Sequence, residues 1–226
     1  MLPPVRGRNK NVHIVWDWNG TLFDDLEVVV ASVNQGLATF GAAPIDLDSY
    51  RSHYTRPVKL FYDKLLARKL TDDEWNEVDR TFHDSYRQAL VRARLTADAR
   101  QALDHAAQGG HTQSLLSMFP HPDLVPLVKK LGIEAYFDRI DGLSEGSPGD
   151  LKALYLERHL RLLVAGEDPA QVVVIGDTPD DATAAQHVGA RPILYDGGSH
   201  HRVDLEGTGA PVVSSLRAAV YLALGN

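Results

Sequence analysis

The chain has 226 residues, a formal net charge of −7 and no cysteine; 44% of its residues are hydrophobic and 23% charged. This size and composition suffice to bury a core without disulfides or structural metals, and the acidity excludes charge-driven binding to nucleic acid or an anionic membrane. Without cysteine there is no thiol catalysis, iron–sulfur ligation or cysteine zinc site. No apolar run approaches the ~18 residues of a membrane helix, and no apolar signal core follows the basic start, so a cytoplasmic protein is expected.

The first ten residues are polar and proline-rich and are expected to fray. Val12 to Trp16 is a short apolar run with β-branched residues, closed by Asp17-Trp18-Asn19-Gly20-Thr21, which predicts a buried strand ending in a turn. From Asp24 to about Gln108 the pattern is helical. Leu26, Val29, Val30, Val33, Leu37 and Phe40 recur at helical spacing before Gly41, and Pro57 can open a second helix bearing Leu60, Phe61, Leu65 and Leu66. Thr71 and Glu74 form a capping-box pattern ahead of a Trp75, Val78, Phe82, Tyr86 stripe, read as core. A fourth helix carries Leu103 and Ala106 and stops at Gly109-Gly110.

After Gly110 short apolar runs alternate with helices. The runs are Ser114–Met118, Val172–Ile175, Ile193–Tyr195 and Pro211–Val213; helices hold Leu124, Val128 and Leu131, then Leu151, Leu154, Tyr155 and Leu162, then Ala182, Ala185 and Val188. The alternation predicts an α/β fold, a Rossmann-like parallel sheet with helices on both faces, with a helical block inserted after the first strand. Ligands of such sheets sit beyond the carboxyl ends of the strands.

Asp17 and Asp177 both fall at predicted strand ends, on one rim of the sheet, with Asp180 and Asp181 close behind. Converging carboxylates repel, and a hard dication taking oxygen ligands, magnesium, would relieve them. Asp24 and Asp25 are read as helix caps. Ser117 ends a strand, where its hydroxyl could donate to a phosphate oxygen. Lys152 opens a helix, where the dipole disfavours a cation unless an anion compensates. In the helical block, His53 to Lys59 is basic and aromatic, and Arg56 suits an anionic substrate. Trp18 could wall the site, Trp16 is packing, His121 is the better placed of the two histidines flanking the Ser117 strand, and His200-His201 reads as a solvated loop. No glycine-rich nucleotide or nicotinamide loop is present.

Asp-x-Asn-Gly-Thr-Leu at 17–22, the strand-end Ser117, Lys152, and VVVIGDTPDDATAAQHVGA at 172–190 follow each other in the order of four motifs. In this the chain resembles the haloacid dehalogenase-like hydrolases, over about Val12 to Leu224, and its phosphoglycolate phosphatase-like members in particular. The resemblance implies a core of residues 1–23 and 97–226 and a helical cap at 24–96. It implies Asp17 as nucleophile, attacking phosphorus to give an aspartyl-phosphate. Magnesium would be held by Asp17, the Asn19 carbonyl, Asp177 and Asp181; phosphate by Ser117, Lys152, the amides around Trp18, Asn19 and Gly20, and that near Met118, with Thr21 bracing the loop. The implied activity is magnesium-dependent hydrolysis of a small phosphorylated metabolite, without nucleic-acid, membrane or protein partners.

One position departs from the family pattern. The phosphatases carry a second aspartate two residues after the nucleophile as general acid and base, and here Asn19 stands there. General acid–base catalysis is worth about 10²–10⁴-fold. The alternatives are a slow phosphatase or one for good leaving groups, another residue doing the proton transfer, a phosphate-ligand binder with little turnover, or a change that traps substrate. A haloacid dehalogenase is disfavoured by Asp177 and Asp181.

Overall fold

The computed structural model describes residues 11–144, 151–163 and 169–225. The expectation that the first ten residues fray lies outside them. A six-stranded sheet runs in the order β5 (Arg139–Leu143), β4 (Thr112–Pro120), β1 (His13–Trp16), β6 (Val172–Gly176), β7 (Arg191–Tyr195), β8 (Val212–Val213). Every paired neighbour is parallel. The expected α/β class is what forms. The central strands β1 and β6 are buried along their whole length, which is why they read as unbroken apolar runs rather than as alternation.

After β1 come four helices that form a block of their own, α1 (Leu26–Ala38), α2 (Leu47–His53), α3 (Val58–Leu65) and α4 (Asp72–Ala89). They enclose a core of their own, built on Val33, Leu37, Tyr50, Phe61, Tyr62, Leu70 and Val78. The capping box of α4 is formed: the Glu74 amide donates to Thr71 Oγ1 at 3.2 Å and the Thr71 amide to Glu74 Oε2 at 2.8 Å. Helix α2 was not anticipated; Asp46 caps it, accepting from the Ser49 amide. The helical block is framed by a small antiparallel pair, β2 (Phe23–Asp24) with β3 (Arg94–Leu95), where a continuous helical pattern had been expected.

Helices α5 (Ala99–Gln108), α6 (His121–Lys130), α7 (Lys152–Leu163), α8 (Pro179–His187), α9 (Arg202–Glu206) and α10 (Leu216–Leu224) complete the chain. Trp16, Ile14, Leu103, Leu115 and Val220 share one core cluster with α5 and α10, and Val15, Leu116, Leu156 and Val174 share another with α7 and α8. The sheet therefore has helices on both faces. No helix among the described residues is long and apolar enough to cross a membrane. From β1 the chain proceeds to β4 on one side and later to β6 on the other. The carboxyl end of β1 is thus a topological switch point, with Asp17 directly after it.

Candidate active site

Asp17 is fixed at the rim by its own amide, which donates to the Ile175 carbonyl of β6 at 2.8 Å. Asp177 leaves the end of that same strand. Asp181 stands in the first turn of α8, where it completes a capping box: its amide donates to Thr178 Oγ1 at 3.3 Å and its Oδ2 accepts from the Thr178 amide at 3.0 Å. So Asp181 serves the Thr178 cap of this helix, but with only one oxygen. Its Oδ1 faces Lys152 Nζ at 2.5 Å. Lys152, the first residue of α7, also pairs with Asp17 Oδ1. The cation that opens this helix is thereby compensated, as the dipole argument required.

Ligand-capable oxygens of Asp17, Asp177 and Asp181 lie within 4.8 Å of one another, all three residues being buried. One ammonium, in contact with Asp17 and Asp181, stands against a cluster of three carboxylates. Burial pushes Asp17 up to about 8, with Asp181 and Asp177 adding to the rise and Lys152 opposing it. Asp177 is likewise raised, by burial and then by Asp181, against hydrogen bonds from Ser199. Burial disfavours the Lys152 charge, but Asp17 and Asp181 outweigh it and hold the ammonium protonated. This excess of buried negative charge, on oxygen donors alone, fits a hard divalent cation such as magnesium.

Asp177 is held by donors on both oxygens. Thr21 Oγ1 donates to Oδ1 at 3.1 Å, and the Ser199 amide and hydroxyl donate to Oδ2 at 2.8 and 2.6 Å. Two glycines permit this closeness. A Cβ on Gly20, which has φ +73°, would lie 2.6 Å from Asp177 Oδ2, and one on Gly198 would lie 2.2 Å from Asp177 Cβ. The loop carrying Ser199 is gripped by the helical block. Arg51 of α2 donates to the carbonyls of Gly198 at 2.9 Å and Gly197 at 3.2 Å, and the Tyr54 ring meets His200 edge-on.

Asp25 corrects an expectation. It precedes α1 but makes no side-chain cap. It is instead buried beneath the Asp17 loop, accepting from the Gly20 amide at 3.1 Å, Asn19 Nδ2 at 2.8 Å and Tyr86 Oη at 2.5 Å. Burial raises it to about 6, and those hydrogen bonds, Tyr86 first, restrain the rise. Tyr86, read from sequence as core, is therefore also a polar contact from α4 to this loop.

Other expected site residues divide. Ser117 is buried on β4; with Trp16 opposite Leu115, it lies two residues further along the strand, on the same rim as Asp17, and its Oγ accepts from the Phe119 amide at 3.0 Å. Met118 is half-buried and packs on the Val15–Leu116 cluster. The Trp18 indole does not wall the site: it is fully buried, stacked on Phe23 at 4.7 Å. Nor is the Gly20 amide free for an anion, because it donates to the Phe23 carbonyl and to Asp25. Thr21 braces the loop through Asp177. Arg56 Nε lies 3.7 Å from Asp180 Oδ2, at an exposed junction between the helical block and α8. His121 Nδ1 accepts from the Gly142 amide at 3.2 Å. His200 and His201 are not a solvated pair: His200 Nδ1 lies 3.0 Å from Ser199 Oγ, and His201 Nε2 lies 3.2 Å from Ser52 Oγ. Ser199, Arg51 and Asp25 were missed as contributors. The only sequence signal for Ser199 was the Gly-Gly-Ser turn, since glycines mark close approach.

Comparison with known proteins agrees with this geometry. The family model of haloacid dehalogenase-like hydrolases matches residues 13–189. Phosphoglycolate phosphatase 1 of Pseudomonas aeruginosa is 24% identical over 213 residues, covering 90% of this chain and 76% of that protein. The phosphoglycolate phosphatase of Synechococcus elongatus is 26% identical over 197 residues, covering 85% and 87%. Among solved structures, a haloacid dehalogenase-like family hydrolase from Streptococcus pneumoniae shares the fold, with a TM-score of 0.78 at 20% identity over 94% of this chain and 98% of that one. The chain belongs to the haloacid dehalogenase-like hydrolases.

Proposed function

We propose that this hydrolase is a magnesium-dependent, cytoplasmic phosphatase of a small phosphorylated metabolite, with Asp17 as nucleophile. The observation that carries the reading is the buried constellation itself: Asp17 paired with Lys152 and within 4.8 Å of Asp177 and Asp181, at the switch point of the sheet. The phosphatases named among its relatives support the reaction class. An Asp17 oxygen attacks phosphorus, and the aspartyl-phosphate is then hydrolysed. Lys152 moves its charge from Asp17 to the phosphoryl oxygens, and the Ser117 hydroxyl and the amide near Met118 add donors. Asp17, the Asn19 carbonyl, Asp177 and Asp181 would hold magnesium, which supplies positive charge against the phosphoryl oxygens.

Residues 24–96 act as a cap over this rim, and 1–23 with 97–226 as the core. The polar contacts of Arg51 with the Gly197 and Gly198 carbonyls, of Arg56 with Asp180 and of Tyr86 with Asn19 join cap to core and favour a cap that closes over bound substrate and excludes water. Asn19, its amide engaged by Asp25 and Tyr86, favours a second reading, a phosphate-ligand binder with little turnover.

The deciding assay is phosphate release across a panel of small phosphate compounds, with magnesium and with EDTA, for the unaltered chain and Asp17→Asn. Release that needs magnesium and vanishes in Asp17→Asn is expected. Equal release from both proteins would overturn the reading, and release that survives EDTA would remove the metal from it.

A further inference from the structure

The Asn19 side chain has one chemically consistent orientation. Its Nδ2 lies 2.8 Å from Asp25 Oδ2 and 2.9 Å from Tyr86 Oη. Turning the amide over would set its carbonyl oxygen against a carboxylate, so the N–H bonds point into this pair. Tyr86 donates its own proton to the same Asp25 oxygen, and the Gly20 amide donates to the other. Asp25 is 1% exposed. The cluster is thus closed: its donors converge on one buried carboxylate. Asn19 has left only its carbonyl oxygen, which accepts a hydrogen bond and cannot give a proton.

The remaining donors around Asp17 are committed as well. Lys152 is shared by Asp17 and Asp181, and a phosphoryl group arriving there takes up its charge. The hydroxyls of Thr21 and Ser199 donate to Asp177. Ser117 offers a hydroxyl, a good hydrogen-bond donor but a weak acid. The imidazole of His200 reaches Asp177 only through Ser199 and abuts Tyr54. Among the described residues, the carboxyls gathered with Asp17 are those of Asp177 and Asp181, which the phosphatase reading gives to the metal, and no imidazole is hydrogen-bonded to Asp17, so none of these groups is left to protonate a leaving oxygen.

Resting on the phosphatase reading, we infer that the site selects substrates whose leaving group departs as a stable anion without taking a proton: acyl phosphates first, rather than alkyl phosphates. In the first step Asp17 forms a bond to phosphorus and the phosphorus–oxygen bond to the acyl group breaks. Its electron pair leaves with the carboxylate, and no proton is transferred. In the second step water forms a bond to phosphorus, the bond from phosphorus to Asp17 breaks, and that electron pair returns to Asp17. One of the water's protons stays on the released phosphate and the other passes to a phosphate oxygen or to solvent. Asn19 Oδ1 serves as a positioning group, accepting a hydrogen bond from that water. Alkyl phosphates, which need a proton on the departing alkoxide, lose the general-acid contribution of about 10²–10⁴-fold.

The test exchanges the pair. Asn19→Asp with Asp25→Asn keeps the net charge and reverses the hydrogen bond between the two side chains. It also supplies a carboxyl two residues after Asp17. The kcat/KM values for acetyl phosphate and 2-phosphoglycolate are measured with magnesium in both proteins. The exchange should raise the alkyl phosphate by about 10²–10⁴-fold and move acetyl phosphate by less than about tenfold, since no proton is needed there. Equal gains on both substrates, or none on either, would overturn the inference. So would selective loss of alkyl-phosphate turnover in His200→Gln or Tyr86→Phe, because a proton donor would then exist. If the exchanged protein does not fold, aryl phosphates of graded leaving-group acidity decide in the unaltered chain. A steep fall of kcat/KM with rising leaving-group pKa supports the inference, and a flat series refutes it. Failure of the phosphatase reading looks different: no release from any substrate that depends on Asp17.

Discussion

Lys152→Met isolates what the ammonium does for the folded chain. The methionine keeps the length of the stem and removes the charge from between Asp17 and Asp181. Removing one partner of a buried ion pair destabilises by about 3–5 kcal/mol. Here the lower end applies, because burial already pushes Asp17 up to about 8 beside the lysine. At pH 7 the variant's Asp17 escapes part of the penalty by holding a proton. About 3 kcal/mol corresponds to a fall in Tm of about 6–12 °C for a chain of this size. The pH dependence has a definite sign. The Asp17 carboxyl is raised from 3.8, so its contribution in metal-free protein is full below pH 3.8 and drains away as pH rises to about 8. The deficit of Lys152→Met should therefore widen between pH 7 and pH 9. Magnesium at a hundred times its Kd stabilises whichever protein binds it by about 2.7 kcal/mol; the gap should narrow because in the variant the ion also replaces the lost positive charge. The assay is thermal unfolding of both proteins in EDTA and in magnesium, at each pH. A Tm fall below about 2 °C in EDTA at pH 9, equivalent to less than about 1 kcal/mol, would refute the charge-balance argument.

Two more outcomes follow from other parts of the molecule. His13, buried on β1 between Thr112 and Ser114, is lowered to about 4 by burial and then by His159. Its contribution is full above pH 6.5 and lost as pH falls through 4, a sign opposite to that of Asp17. About 3 kcal/mol is at stake, and His13→Gln should flatten the urea midpoint between pH 4 and pH 6.5 relative to the unaltered chain. Gly198→Ala would press a Cβ to 2.2 Å from Asp177 Cβ, so the loop must retreat and take Ser199 with it. Titration calorimetry should find magnesium binding weakened about 10–100-fold, as for other lost supports of a ligand; unchanged affinity would mean that Ser199 does not orient Asp177.

The residues legible in the sequence are those whose role is set by local context. Asp17, Asp177 and Lys152 each stand at the end of an apolar run or the start of a helix, and parallel strands carry such ends to one rim. Asp25 was legible only as a cap, because its partner Tyr86 lies 61 residues away on α4. Ser199 was hidden for the same reason, reaching Asp177 across 22 residues and a strand. Trp18 was misjudged because adjacency to Asp17 along the chain says nothing of direction; its ring turns down onto Phe23. Strand β5 left no apolar run, since Arg139-Ile140-Asp141-Gly142-Leu143 is an edge strand with a polar middle. Asp141 there spends its carboxylate on His159 at 2.7 Å and Arg139 at 2.5 Å.

The bonds that orient Asn19 also bear on how the protein ages. An Asn-Gly pair deamidates when the glycine nitrogen attacks the asparagine side-chain carbon, which requires a free and mobile amide. In the folded chain the Gly20 amide is bound to Phe23 and Asp25, and the Asn19 amide is bound to Asp25 and Tyr86. Both reacting groups are immobilised, so succinimide closure waits on local unfolding of the loop. The fold thus guards the one side chain whose spontaneous conversion to a carboxylate would change the chemistry of its own active site.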